Sequence, residues 1–114
     1  MIAIDFDDNL IVDEQPHIER CKLTAELINQ GYDVYILTGR LQPHLMKMDK
    51  GGFWAYYETR QYRDIKNDIQ LWCWNNIGEY DWFVTPIKQY KTTMYVDVDS
   101  KNWQEVKEML DKKT

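Results

Sequence analysis

Residues 1–10 read MIAIDFDDNL. Within them Ile2-Ala3-Ile4-Asp5-Phe6 is an apolar run broken by one acid, the pattern of a strand buried on both faces in a parallel sheet. Asp5 then falls at or near the carboxyl end of that strand. Downstream, Pro16 suits a first helical position, and Ile18, Cys21, Ala25 and Ile28 recur at helical spacing until Gly31, which suits the position just past a helix. The expected helix has about 15 residues. Val34-Tyr35-Ile36-Leu37 is a second buried-strand run, ending in Thr38-Gly39-Arg40. The first 40 residues therefore read as one right-handed βαβ unit.

The same reading extends through the chain. Residues 41–56 contain Pro43, a Met-rich patch and Gly51-Gly52, which predicts a loop and a candidate substrate lid. From Tyr57 to about Asn76 the stripe of Tyr62, Ile65, Ile69, Trp72 and Cys73 predicts a helix, with Leu71 and Trp74 off the stripe. Trp82–Thr85 and Met94–Val98 read as strands three and four. Ser100–Lys112 reads as a final helix with Trp103, Val106 and Leu110 inward. About eight residues join strands three and four, fewer than a parallel crossover with a helix needs. An extended link of that length reaches roughly 27 Å, so it can recross the sheet bare; a short, antiparallel or displaced third strand is the alternative. The expectation is one α/β domain spanning 1–114, a three-layer Rossmann-like arrangement around a mainly parallel sheet of four strands, with no insertion large enough for a cap domain.

Composition narrows the function classes. The chain has 114 residues, with 14 Lys+Arg against 19 Asp+Glu, a formal charge of −5. That balance argues against a non-specific nucleic-acid binder or a basic membrane-surface helix, since both need clustered cations. No apolar run approaches the roughly 20 residues of a membrane span, and acids come too early for a signal peptide, so a cytoplasmic protein is expected. Cys21 and Cys73 read as reduced, buried thiols. His17 and His44 have no neighbouring Cys/His partner, which argues against structural zinc.

The acids carry the chemistry. Asp5, Asp7 and Asp8 crowd the end of strand one, and Asp97 and Asp99 the end of strand four, while open α/β sheets bind ligands at strand carboxyl ends. If the two strands are neighbours, several carboxylates share one crevice, where each pair about 4 Å apart repels by roughly 4 kcal/mol at an effective dielectric near 20. A cation is expected there. An all-oxygen donor set with few histidines favours Mg²⁺, which keeps several waters beside one or two carboxylates and a substrate phosphate.

Asp5-Phe6-Asp7-Asp8-Asn9-Leu10 resembles the DxDx[TV] signature of the haloacid dehalogenase superfamily, which likewise follows an apolar strand. Leu37-Thr38-Gly39-Arg40 looks like its second motif, Lys88 in Thr85-Pro86-Ile87-Lys88 like its third, and Tyr95-Val96-Asp97-Val98-Asp99 like its acidic fourth. The short interval from Lys88 to Asp97 is similar to that of deoxyribonucleotidase-like members. The chain departs from the pattern at Asp8-Asn9, where Gly-Thr is usual, and at Val98, where adjacent acids are frequent. Lys91 competes with Lys88 for the lysine role. A response-regulator receiver also gathers acids, a hydroxyl and a lysine, but its phosphorylated Asp ends the third strand, where this chain has Thr85-Pro86.

The resemblance implies a capless Mg²⁺-dependent phosphomonoester hydrolase in which Asp5 attacks phosphorus and Asp7 moves the proton. Thr38 and Lys88 hold the transferring phosphoryl group. Mg²⁺ would sit on Asp5, the Asp7 main-chain carbonyl and Asp97, with Asp99 as the further acid. Asp8, Asn9, Gly39 and Arg40 are the candidate substrate contacts, Arg40 being balanced between a salt bridge and a phosphate contact. Expected substrates are a nucleotide, a phosphorylated nucleic-acid end or another phosphomonoester, with the negative charge weighing against nucleic acid. The site is expected to be open, covered by residues 41–56 or by homo-oligomerisation. The alternative expectation is a phosphate-binding or protein-interaction module that keeps the fold with little turnover.

Overall fold

A computed structural model describes residues 1–41, 59–97 and 100–112 of the chain. Strand β1 (Ile2–Asp5) is followed by a two-stranded hairpin, β2 (Ile11–Val12) and β3 (Gln15–Pro16), then helix α1 (Ile18–Asn29) and strand β4 (Val34–Leu37). A 3-10 turn at Gly39–Leu41 leaves β4. Helix α2 (Arg60–Asn76), strands β5 (Val84–Thr85) and β6 (Met94–Val96) and helix α3 (Ser100–Lys112) complete the order. The main sheet is four-stranded and parallel in the order β5-β4-β1-β6. Strand β1 is central, its Ile2, Ala3 and Ile4 opposite Val34, Tyr35 and Ile36 on one side and Met94, Tyr95 and Val96 on the other.

Strand alternation decides where the core lies. Ile2, Ile4, Val34, Ile36, Val84 and Val96 join one buried cluster with Cys21 and Leu27 of α1, Ile69 and Cys73 of α2, and Trp103, Val106 and Leu110 of α3. Phe6 meets Trp72 of α2 edge-on at 5.0 Å between ring centroids. Each fully buried aliphatic contributes about 1.5–3 kcal/mol. Among the described residues all three helices share this core. The opposite face holds buried Ala3 and Tyr35, and the connection 86–93 runs over it: the Tyr35 hydroxyl accepts the Gln89 N–H at 3.0 Å and is hydrogen-bonded to Thr92. The expected helix–sheet–helix sandwich is thus, in the described residues, one helical layer, the sheet and an extended strap.

That strap answers the short connection. Strand β5 is short, parallel and at the edge, so residues 86–93 pass β4 and β1 to reach β6, a lateral distance of about 14 Å at roughly 4.8 Å per strand. An extended octapeptide covers this without a helix.

The start of α1 differs from expectation. Pro16 lies in the hairpin, opposite Ile11, and not in the helix. The two residues between the strands, Asp13 and Glu14, both have positive φ (51° and 63°), the backbone of a two-residue hairpin turn. His17 becomes the N-cap, its Nδ1 accepting the Arg20 N–H at 3.3 Å. The later start leaves Ile18 exposed, and the inward stripe is Cys21, Thr24 and Leu27. Gly31, with φ +91°, follows the helix as expected. Helix α2 begins at Arg60 behind its N-cap Thr59, and Leu71 and Trp74 are exposed as their off-stripe positions predict. Both cysteines are buried and form no disulfide; burial pushes the Cys21 thiol up to about 11 and the Cys73 thiol further, which leaves them unreactive. No helix among the described residues is long and apolar enough to cross a membrane. The expected lid, beyond Leu41, lies outside the described residues, as do His44 and Trp54.

One buried polar contact ties α3 to the loop after β1. Asn9 is fully buried; its Oδ1 accepts the Trp103 Nε1–H at 3.0 Å and its Nδ2 donates to the Asp7 carbonyl at 3.0 Å. Asn9→Ala strands the indole N–H and should lower unfolding free energy by about 1–3 kcal/mol. Adding Trp103→Phe should cost less than the sum of the single changes, because the orphaned donor disappears. Additive losses in urea denaturation would show that the contact carries no coupling.

Candidate active site at the carboxyl end of the sheet

Parallel pairing of β1 with β6 puts their carboxyl ends side by side. Asp5 is the last residue of β1, and Asp97 follows β6 directly. Their side chains are hydrogen-bonded to one another. Burial first, and then the Asp97 charge, raise the Asp5 carboxyl from 3.8 to about 6, against a smaller lowering by the Phe6 N–H, which donates to Asp5 Oδ1 at 3.1 Å. Ionising Asp5 is therefore costly, and a proton on Asp5 or a nearby cation offsets that cost.

The loop that follows is wound tightly enough to fix its groups. The Phe6 carbonyl accepts N–H groups of Leu10 and Ile11 at 3.1 and 3.2 Å, and Asp8 sits at φ 62° with its N–H on the Ile11 carbonyl at 2.9 Å. From below, Arg20 of α1 donates to the Asp8 and Asn9 carbonyls at 3.2 and 3.3 Å. Asp8 is exposed beside the site. Asn9, an expected substrate contact, is instead a buried strut with both ends of its amide engaged, because the side chain at that position points toward α3.

Asp7 and Arg40 face each other across the crevice. Arg40 Nη2 and Nε lie 2.8 and 2.9 Å from Asp7 Oδ1, and the guanidinium covers the Phe6 ring at 5.2 Å from its centroid. Both side chains are partly exposed, so the pair positions groups more than it stabilises the fold, by about 0–1 kcal/mol. Thr38, buried at the end of β4, donates its N–H to the Thr85 carbonyl at 3.1 Å. Its Oγ1 accepts the Arg40 N–H at 3.1 Å and keeps its own proton to donate. Gly39 opens the 3-10 turn that carries Arg40.

Lys88 is exposed, with its ammonium 5.8 Å from the centroid of the Tyr95 ring. Tyr95 is hydrogen-bonded to Asp97, and burial, followed by the charges of Asp5 and Asp97, pushes its hydroxyl up to about 12. Lys88 therefore stands over the ring that borders the acid pair. Lys91 turns to Tyr90, a residue 90% exposed. Tyr95 was not singled out as a site residue from sequence; the signal was strand alternation, which puts Tyr95 and Asp97 on one face of β6 beside Asp5.

Asp5 and Asp97 stand at the ends of adjacent strands, and the Asp7 carbonyl accepts the Asn9 amide at 3.0 Å in the loop that follows β1. Asp99 lies outside the described residues. Among those residues no three His, Cys, Asp or Glu side chains are grouped to hold a metal. In comparisons with known proteins, no family model, no curated protein and no solved structure matches this chain.

The acid pair carries a pH signature. Asp5 has a raised pKa in the folded state, so its contribution to stability is full below about 3.8 and is lost as pH rises to about 6. In metal-free buffer the stability of the wild type relative to Asp5→Asn should fall across that interval. A difference constant from pH 4 to 6.5 would contradict the burial of Asp5 beside the Asp97 charge.

Proposed function

We propose that the chain is a Mg²⁺-dependent phosphomonoester hydrolase working through an aspartyl-phosphate on Asp5, a capless member of the haloacid dehalogenase superfamily. The observation that carries this reading is the contact between Asp5 and Asp97 at the ends of adjacent parallel strands, with the Thr38 hydroxyl at the end of the strand on the other side of β1. When bound by Asp5, the Asp7 carbonyl and Asp97, Mg²⁺ would offset the repulsion between an anionic nucleophile and an anionic ester.

An Asp5 carboxylate oxygen attacks phosphorus, and the bond from phosphorus to the leaving oxygen breaks. Asp7 supplies the proton that the leaving oxygen takes. It then accepts one from the water that attacks the phosphoenzyme, which frees Asp5 and inorganic phosphate. Thr38 and Lys88 donate to the phosphoryl oxygens, each worth a few kcal/mol in the transition state. Asp8, Gly39 and Arg40 border the entrance. A phosphate that draws Arg40 onto itself releases Asp7, so substrate binding frees the group that must move protons. The substrate is a phosphomonoester, such as a nucleotide, a phosphorylated nucleic-acid end or another ester.

One observation favours a second reading. The Arg40–Asp7 ion pair occupies the proton-moving carboxylate, as suits a module that binds phosphate with little turnover. Steady hydrolysis of an aryl phosphate separates the two. The hydrolase reading expects Mg²⁺-dependent turnover that is abolished in Asp5→Asn and reduced about 10²–10⁴-fold in Asp7→Asn. Millimolar Mg²⁺ should also raise the melting temperature more than NaCl of equal ionic strength, and lose that advantage in Asp97→Asn. Turnover surviving in Asp5→Asn would reject the nucleophile. No turnover by wild type, with phosphate still binding in Mg²⁺, would establish the module.

A further inference from the structure

The amino end of the sheet, opposite the acid pair, holds a cavity of about 310 Å³ lined by Gln70, Leu71, Trp74, Tyr80, Asp81 and Trp82. Its position follows from the chain: Trp82 leads into the amino end of β5, and the Tyr80 hydroxyl accepts the N–H of Val34, the first residue of β4. The volume falls at the lower end of the range typical of small-molecule sites.

The walls are already fixed. Trp82 is buried, its Nε1–H bonded to the Gly78 carbonyl at 2.9 Å, and its ring meets that of Tyr80 edge-on at 5.1 Å. Gln70 of α2 donates to the Trp82 carbonyl at 2.8 Å, which anchors the segment to the helix. Rings held in this way lose little freedom when a ligand enters. Trp74 and Leu71 on the adjacent helix face are 48% and 60% exposed, apolar surface that a ligand would cover. Asp81 is exposed and has no ion-pair partner among the described residues.

Half-exposed Trp74 is the ring with most surface open to a ligand; the face of such a ring is the negative side of its quadrupole, and Asp81 adds a full negative charge to the same lining. A cavity bounded by three aromatic residues, a leucine and an unpaired aspartate therefore complements a cation with an apolar shell and disfavours an anion. The chain's net charge of −5 acts in the same direction. The geometry points to a second ligand site, between α2 and the segment before β5, that binds a small organic cation of the quaternary or alkylated ammonium class. It shares no residue with the proposed phosphate chemistry.

Choline and its neutral isostere 3,3-dimethylbutan-1-ol are the probes, titrated into the full-length protein while the indole N–H resonances of the five Trp residues are followed. Choline should shift the Trp74 and Trp82 signals saturably and leave that of Trp103 in place; the neutral alcohol should bind roughly tenfold more weakly or less. Trp74→Ala and Asp81→Asn should each weaken choline binding by about tenfold, with Trp74→Phe closer to wild type. These side chains are exposed, so unchanged melting temperatures separate lost binding from lost fold. Asp5→Asn should bind choline as wild type does, which keeps this test independent of the hydrolase reading. Equal binding of the alcohol, choline shifts confined to other indoles, or no saturable shift would each overturn the site.

Discussion

The contact between the Asp5 and Asp97 carboxyls is the constraint to which the other features of the crevice refer. It exists because β1 is central and both of its neighbours run parallel to it, so residues from distant parts of the chain end their strands at one level. The apolar register that drives this pairing, Ile2, Ile4, Ile36 and Val96 facing the helices, also puts the residues of opposite parity on the far face. Asp5, Tyr95 and Asp97 therefore share a surface with Tyr35. Hydrophobic burial supplies the free energy, and the carboxylate pair is held in an unfavourable arrangement that a proton or a cation relieves.

Around that pair the protein fixes backbone more than side chains. Asn9, Arg20 and the Phe6 carbonyl hold the 6–11 loop from beneath, and the Asn9 amide fixes the Asp7 carbonyl by donating to it. Asn9 has a structural role here: its amide oxygen accepts the Trp103 indole N–H, joining α3 to the loop. Arg40 is anchored by its own main-chain N–H on Thr38 and by its side chain on Asp7, so one short turn links the Thr38 hydroxyl to the Asp7 carboxylate.

The sequence made the large elements readable where hydrophobic period and length were unambiguous. The βαβ unit, the Tyr62–Cys73 stripe and the inward Trp103, Val106 and Leu110 all follow from spacing alone. The β2–β3 hairpin escaped because its turn, Asp13-Glu14, contains no glycine, although both residues take positive φ. That turn also displaced Pro16 from the helix and rotated Ile18 into solvent. The adjacency of Asp5 and Asp97 could be inferred from the crevice rule, but the inward turn of Asn9 and the Arg40–Asp7 pairing depend on side-chain directions that composition does not encode. Lys88 against Lys91 was open for the same reason; the strap over Tyr35 brings Lys88 to the Tyr95 ring and leaves Lys91 at Tyr90.

Asp5 and Asp7 stand two residues apart, and in a purely electrostatic cluster they would be interchangeable. Their surroundings differ: Asp5 is partly buried against Asp97, and Asp7 faces Arg40 at the rim. The most direct measurement is to quench the protein in acid during reaction with an activated aryl phosphate and Mg²⁺, and to locate the phosphoryl group by mass spectrometry. The account predicts a hydroxylamine-sensitive adduct on Asp5, accumulating in Asp7→Asn, where the group that activates water is missing. An adduct on Asp7, or hydrolysis that proceeds with Asp5 replaced by Asn, would contradict it.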